Sequence, residues 1–151
     1  MKICHREMIA LQFDRIRLSK NINDFFLATT TSKSDDELVD CALNNEIKYF
    51  RGSEKSVISR LIEIGDITDS HSVIRILGDN CLTDPYLMDL VIESHIMQDA
   101  DYSTMEFLPR GTTTQIIKLK ALKKLYKNMD PNESQYLTLY INDPEMFNIN
   151  Y

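Results

Sequence analysis

The sequence predicts an α/β fold, an open and mostly parallel sheet flanked by crossover helices. Strand-like and helix-periodic segments alternate along the 151 residues, with no internal repeat and no low-complexity stretch. Val73, Ile74, Ile76 and Leu77 form a short apolar run that ends in Gly78-Asp79, the pattern of an interior parallel strand. Asp84 then stands as an N-cap ahead of Pro85 at the first helical turn. The length suits one domain, 1–151, with a substantial core.

The elements follow in order. Apolar residues at 8, 9, 11, 13, 16 and 18 predict a helix over 8–18 with basic positions outward. Residues 24–31 read as a strand, and Ser34-Asp35-Asp36-Glu37 as a capping box before Leu38, Val39, Ala42 and Leu43. A short strand over 47–50 leads into the turn Arg51-Gly52-Ser53, with Ser53 a good N-cap. A helix bearing Val57, Ile58, Leu61 and Ile62 follows and ends near Gly65. The strand over 73–77 and a helix over 85–97 come next. Beyond them lie a short strand at 101–104, the turn Pro109-Arg110-Gly111, a β-branched strand over 112–119, a Lys-faced helix over 118–128 and a last helix over 132–141.

Composition excludes several classes. A net charge of −6 argues against nucleic acid or an anionic membrane as partner. The chain shows neither a transmembrane run nor a signal peptide. Its three cysteines, Cys4, Cys41 and Cys81, have neither metal nor disulfide spacing, which suits a reducing cytoplasm. The four glycines form no Walker loop and no G-x-G-x-x-G. His5, His71 and His95 have no relay partner at useful spacing and read as surface or satisfied residues.

Asp79 carries the sharpest chemical signal. It projects from the carboxyl end of a strand, where open α/β sheets bind ligands. A carboxylate there, beside Gly78, suits a Mg²⁺ carrying phosphates. A plain turn or capping Asp is the competing reading.

Several segments occur in one family's order: Arg17-Leu18-Ser19-Lys20, Leu27-Ala28-Thr29-Thr30, Asp35 to Val39, Phe50-Arg51-Gly52-Ser53, Arg75-Ile76-Leu77-Gly78-Asp79-Asn80, Asp101-Tyr102 and Pro109-Arg110-Gly111. Through them the chain resembles the cytidylyltransferases of surface and spore-coat polysaccharide biosynthesis, relatives of the CMP-sialic acid and CMP-Kdo synthetases. The resemblance implies a Rossmann-like sheet of the nucleotide-diphospho-sugar transferase type. It also implies transfer of a cytidylyl group from CTP to a sugar or sugar acid.

By resemblance Asp79 holds Mg²⁺, and Arg51, Gly52 and Ser53 lie against the cytidine beside Gly78, with Arg60 supporting that wall. Asp101, Tyr102 and Arg110 face the sugar, where an Arg can pair bidentately with a carboxylate. Asp79 and Arg110 are the catalytic candidates. The expected partners include a second copy, since the family commonly dimerises, or a full-length homologue.

The chain also departs from the family. The match starts after the family's first strand and its basic, Gly-containing phosphate loop, so the expected sheet lacks that central strand. Thr113 and Gln115 stand where the family has an Asp and a Glu, and both are poor Mg²⁺ ligands. Ser134-Gln135-Tyr136 replaces Arg-Glu-His, Ser56 and Ser59 stand where acids are usual, and Leu77 replaces a polar residue. These changes predict reduced cytidylyl transfer, or a non-catalytic nucleotide-binding or assembly subunit on the same fold. A fragment beginning at an internal Met is the third reading.

Overall fold

Apolar periodicity decides which face each element buries in the computed structural model, which describes residues 2–3, 5–130 and 136–151. The strands are β1 (Lys2–Ile3), β2 (Arg6–Glu7), β3 (Phe26–Thr30), β4 (Lys48–Gly52), β5 (Ser72–Arg75), β6 (Tyr102–Thr104), β7 (Gln115–Lys118) and β8 (Ile149–Asn150). The helices are α1 (Met8–Ile16), α2 (Asp36–Asn44), α3 (Val57–Ile67), α4 (Pro85–Met97), α5 (Leu119–Asn128) and α6 (Leu137–Ile141). The start of the final predicted helix, with Ser134 and Gln135, lies outside the described residues.

The strands form a small β1-β2 hairpin, a parallel β3-β4 pair and a four-stranded sheet of order β5-β7-β6-β8. Parallel β3 and β4 flank α2, which is the βαβ unit the alternating pattern predicts. Among the described residues no strand lies between β3 and β5. α3 crosses that gap, touching β3, β4 and β5.

One correction concerns the strand at 73–77. β5 pairs with β7 in antiparallel register, Arg75 opposite Gln115, where its apolar run suggests parallel pairing. The reason is the β6–β7 connection, which doubles back and slots β7 between β5 and β6. β7 then separates two cores by simple alternation. Ile117 packs with Ile58 and Leu61 of α3 and with Leu122 and Leu125 of α5, while Ile116 packs with Met88, Val91 and Ile92 of α4. A third cluster joins Ala10 and Phe13 of α1 to Leu27, Cys41, Ala42 and Ile47.

Two predicted caps move. The Ser34–Glu37 box does not form, because Asp35 turns back to Thr29 and Thr30 and α2 begins without a side-chain cap. For α3 the N-cap is Ser56, whose hydroxyl accepts from Ser59 N, while Ser53 accepts from Ser56 N one step earlier. The helix also runs past Gly65 to Ile67, since Gly65 is buried beneath Leu119 and Val73 rather than ending a turn. Asp84 caps α4 as expected, accepting from Tyr86 N and Leu87 N. His95 is a satisfied core residue, held between the Ser72 and Ser103 hydroxyls. Among the described residues no helix is long and apolar enough to cross a membrane.

Candidate functional site

The loop between β5 and α4 is pinned from several directions. Asn80 N donates to Leu77 O at 2.9 Å and closes the turn that carries Gly78 and Asp79. The buried Asn80 side chain donates to Thr113 O at 2.9 Å, and Gln12 of α1 donates to Leu77 O and Asn80 O at 2.7 and 3.2 Å. Thr83, fully buried, donates to Asn80 O, while Arg15 Nε holds Thr83 O at 2.5 Å. The loop is thus fixed by backbone carbonyls, which leaves Asp79 exposed at its tip.

The second wall is the turn Pro109-Arg110-Gly111. Gly111 has φ +85°, a conformation that disfavours side chains, and its oxygen accepts from Leu82 N at 3.1 Å. This brings the β6–β7 loop against the β5–α4 loop. Between them lies a pocket of about 280 Å³ whose polar lining includes Arg75, Asp79, Arg110, Thr113 and Gln115. Asp79, Gly111 and Arg110 therefore meet, as do Thr113 and Gln115, across the loops that the sequence could only match separately.

Arg75 is the residue that sequence reasoning left without a role. Its guanidinium donates to Gln115 Oε1 at 2.6 Å, and burial pushes its pKa below the ordinary value. The group stays charged at neutral pH. A poorly solvated cation with a neutral partner is primed for an anion. The signal was present in the sequence as a charge inside an apolar run, Val-Ile-Arg-Ile-Leu.

Arg51, Gly52 and Ser53 gather at the carboxyl ends of β3 and β4. Arg51 and Gly52 belong to β4 itself, paired with Thr29 and Thr30, and not to a turn. Arg51 is engaged by the protein: Nε donates to Thr30 O at 2.8 Å, and its two terminal nitrogens to Asp36 and Ser32 O at 2.7 Å each. A Cβ on Gly52 would sit 2.7 Å from the Phe50 ring and 2.9 Å from Arg60 Cγ, so the close approach needs glycine. Arg60 is half-buried and donates to Ser53 O, while its Nε is buried without a partner among the described residues. Burial lowers the Arg60 pKa. Asp35, which accepts from Thr29, Thr30 Oγ1 and Thr30 N, is lowered to about 2 by those bonds, and it is the neighbouring charge Arg60 feels.

Asp101 is not brought to the pocket, whereas the Tyr102 phenol reaches from the core toward Thr104 and Arg75. Asp101 lies just before β6, at the end of the sheet away from Gln115, where Asn148 N donates to it at 3.1 Å and Lys118 lies 4.0 Å away. The Tyr102 ring is in the α3–α5 core, 4% exposed, and burial raises its phenol pKa. Strand direction explains the position of Asp101: the carboxyl end of β6, at Thr104, is the end beside Gln115.

Among the described residues no three His, Cys, Asp or Glu side chains cluster as a metal cage. Asp79 is the one carboxylate in a pocket lining that also holds Arg75 and Arg110. That donor set fits a divalent cation that arrives with its own phosphates, and not a protein-held one.

A helix-flanked sheet with a polar pocket at the carboxyl end of β5 has the architecture of the nucleotidyltransferase-type α/β fold. The cytidylyltransferase family profile matches residues 1–146, and the chain belongs to that family. It is 29% identical over 153 residues to uncharacterized protein MJ1063 of Methanocaldococcus jannaschii, covering 100% of this chain and 63% of that protein. It is 27% identical over 135 residues to the spore coat polysaccharide biosynthesis protein SpsF of Bacillus subtilis, covering 87% and 56%. The chain thus spans about 60% of the length of these relatives. Among solved structures it superposes on a cytidylyltransferase from Leptospira borgpetersenii with TM-score 0.91 at 23% identity, over 100% of this chain and 67% of that one. A CMP:2-keto-3-deoxy-manno-octonic acid synthetase complexed with CTP gives TM-score 0.72 at 10% identity, over 100% and 80%.

Proposed function

We propose that this chain carries the nucleotide-binding part of a CTP-dependent cytidylyltransferase acting on a sugar or sugar acid in polysaccharide biosynthesis. The observation that carries the reading is the pocket at the carboxyl end of β5, which Asp79 lines together with Arg75 and Arg110. Arg75 and Arg110 supply fixed positive charge for phosphate oxygens or a substrate carboxylate. Asp79 would hold a Mg²⁺ that neutralises the triphosphate as pyrophosphate leaves. Gly111 keeps its wall low enough for close approach. In such a transfer a substrate oxygen attacks the α-phosphorus, so the protein's task is alignment and charge neutralisation.

Gln115 favours a weak catalyst. Its amide is hydrogen-bonded to Arg75, and with Thr113 it makes this wall of the pocket uncharged. Each lost electrostatic contact to a developing charge costs about 10²–10³ in rate. The chain on this reading binds nucleotide and turns it over slowly. The pocket takes CTP whether the chain acts alone, as a homodimer or beside a longer homologue.

Thermal unfolding with CTP and Mg²⁺, beside ATP and metal-free controls, tests the proposal. Ligand at about 100 times its dissociation constant stabilises by roughly 2.7 kcal/mol. For a domain of this size that raises Tm by about 5–10 °C. The shift is expected to be CTP-selective, Mg²⁺-dependent and lost in Asp79→Ala. No shift at millimolar CTP overturns it.

A further inference from the structure

Gln115 holds Arg75 without neutralising it. The two residues stand opposite each other in the antiparallel β5–β7 register, so sheet geometry and not a loop fixes their approach. Arg75 Nη1 donates to Gln115 Oε1 at 2.6 Å. A guanidinium carries donors and no acceptor, so the amide oxygen must face it and the amide nitrogen must turn away. Gln115 lines the pocket, and among the described residues its nitrogen has no hydrogen-bond partner. Thr104, opposite it on β6, donates its hydroxyl to Thr114 O at 3.0 Å. One charged and one neutral donor group thus sit side by side on a rigid strand pair in the pocket wall.

The charges of the lining favour one sign. Arg75 and Arg110 bring two fixed positive charges against the carboxylate of Asp79. A carboxylate at position 115 would pair with Arg75, cancel that excess and withdraw the cation from a ligand. An amide of the same length keeps the guanidinium oriented and its charge available. Burial of Arg75 disfavours the lone cation, which increases what an incoming anion gains beside it.

We propose that Gln115 is a specificity-determining residue: with Arg75 it forms a donor wall that binds an oxyanion of the ligand directly, without a cation between them. The inference deepens the nucleotide reading and rests on it for the identity of the ligand. It divides the site in two. A Mg²⁺ belongs beside Asp79, while the β5–β7 wall contacts a phosphoryl or carboxylate oxygen by itself. A small oxyanion is therefore expected to bind when divalent cations are removed, at concentrations well above those at which CTP with Mg²⁺ saturates.

The test is thermal unfolding of the 151-residue chain in EDTA, titrated with inorganic pyrophosphate, with D-glucuronate, and with D-glucose as the uncharged control. An anion is expected to raise Tm and D-glucose to leave it unchanged. The anion that acts more strongly assigns the wall to a phosphoryl group or to a substrate carboxylate. Gln115→Glu is expected to weaken that anion about tenfold. The free variant should melt no lower than wild type, because its carboxylate pairs with Arg75. Gln115→Leu, which keeps the bulk and removes both amide groups, is expected to weaken the anion by a similar factor. Comparison at equal anion concentration removes the general salt effect on stability. A Gln115→Glu protein that melts lower and titrates as wild type does would mark a purely structural amide and overturn the proposal. So does the absence of a shift with either anion, or an equal shift with D-glucose. The two readings fail separately. Anion binding in EDTA without a CTP–Mg²⁺ shift keeps the wall and loses cytidylyl transfer, and the reverse result keeps that reading and loses the wall.

Discussion

At the carboxyl ends of β3 and β4, Arg51 and Asp35 are spent on the protein, whereas at the carboxyl end of β5 Arg75, Asp79 and Arg110 line a pocket. Arg51 holds Thr30 O, Ser32 O and Asp36, and Asp35 takes three donors from Thr29 and Thr30. In the pocket, Asp79 and Arg110 make no side-chain hydrogen bond among the described residues, and Arg75 makes one, to a neutral amide. Both edges contain family-matching motifs, yet their physical states differ. A satisfied cluster stabilises a loop, and an unsatisfied one is available to a ligand. The comparison leaves the β5 loop, where Asp79 is the sharpest candidate from the sequence, as the ligand-facing half, and Arg51 as a residue engaged by the protein.

The largest effect expected from breaking this contrast is on stability, in the satisfied half. Arg51→Ala removes three charge-assisted hydrogen bonds that tie β4 to the end of β3, to the loop at Ser32 and to the start of α2. Two of them end on backbone carbonyls, and the third, to exposed Asp36, is worth little. A loss of about 2–3 kcal/mol follows, which is roughly 5–10 °C in Tm. The CTP-induced shift is expected to survive in the folded fraction. If Arg51→Ala instead keeps its stability and loses the CTP shift, the assignment of the two halves is reversed.

Arg75→Leu is the reciprocal experiment. Replacing a desolvated guanidinium that has one neutral partner by an apolar side chain of similar reach changes stability by less than about 1 kcal/mol. The CTP–Mg²⁺ shift is expected to fall by most of its size, since the pocket loses the more buried of its two cations. Parallel melts of the free and liganded protein separate these effects. An unchanged ligand shift would exclude Arg75 from the anion site.

How far the sequence carried these assignments varied with the range of the interaction. Asp84-Pro85 located the start of α4 because a cap is a local device. The Ser34 box misled because Asp35 had a better offer from Thr29 and Thr30, on a strand the local pattern does not include. β7 was found as a strand, but its place between β5 and β6 follows from how residues 105–114 double back, which periodicity does not encode. Asp79 and Arg110 were legible through the resemblance. Arg75 was visible as a charge in an apolar run, but its partner Gln115 lies 40 positions away, so its role needed the fold. Asp101 lies away from the pocket for the same reason, since only strand direction tells which end of β6 faces it.

The smallest effect predicted is a pH dependence rooted in the satisfied half. Hydrogen bonds from Thr29 and Thr30 hold the Asp35 carboxyl down at about 2, below its usual range near 3.8. A carboxylate with a depressed folded pKa stabilises the native state fully above its unfolded value. That contribution declines as pH falls from about 4 through 2, because the unfolded chain binds the proton first. Wild-type Tm is therefore expected to fall over this window by more than that of Asp35→Asn, whose neutral amide has no proton to gain. The difference between the two curves should be constant above pH 5 and narrow as the pH approaches 2. Curves that stay parallel throughout would mean that Asp35 is not held by its threonines, and the contrast between a self-satisfied and a ligand-facing half would lose its best-bonded member.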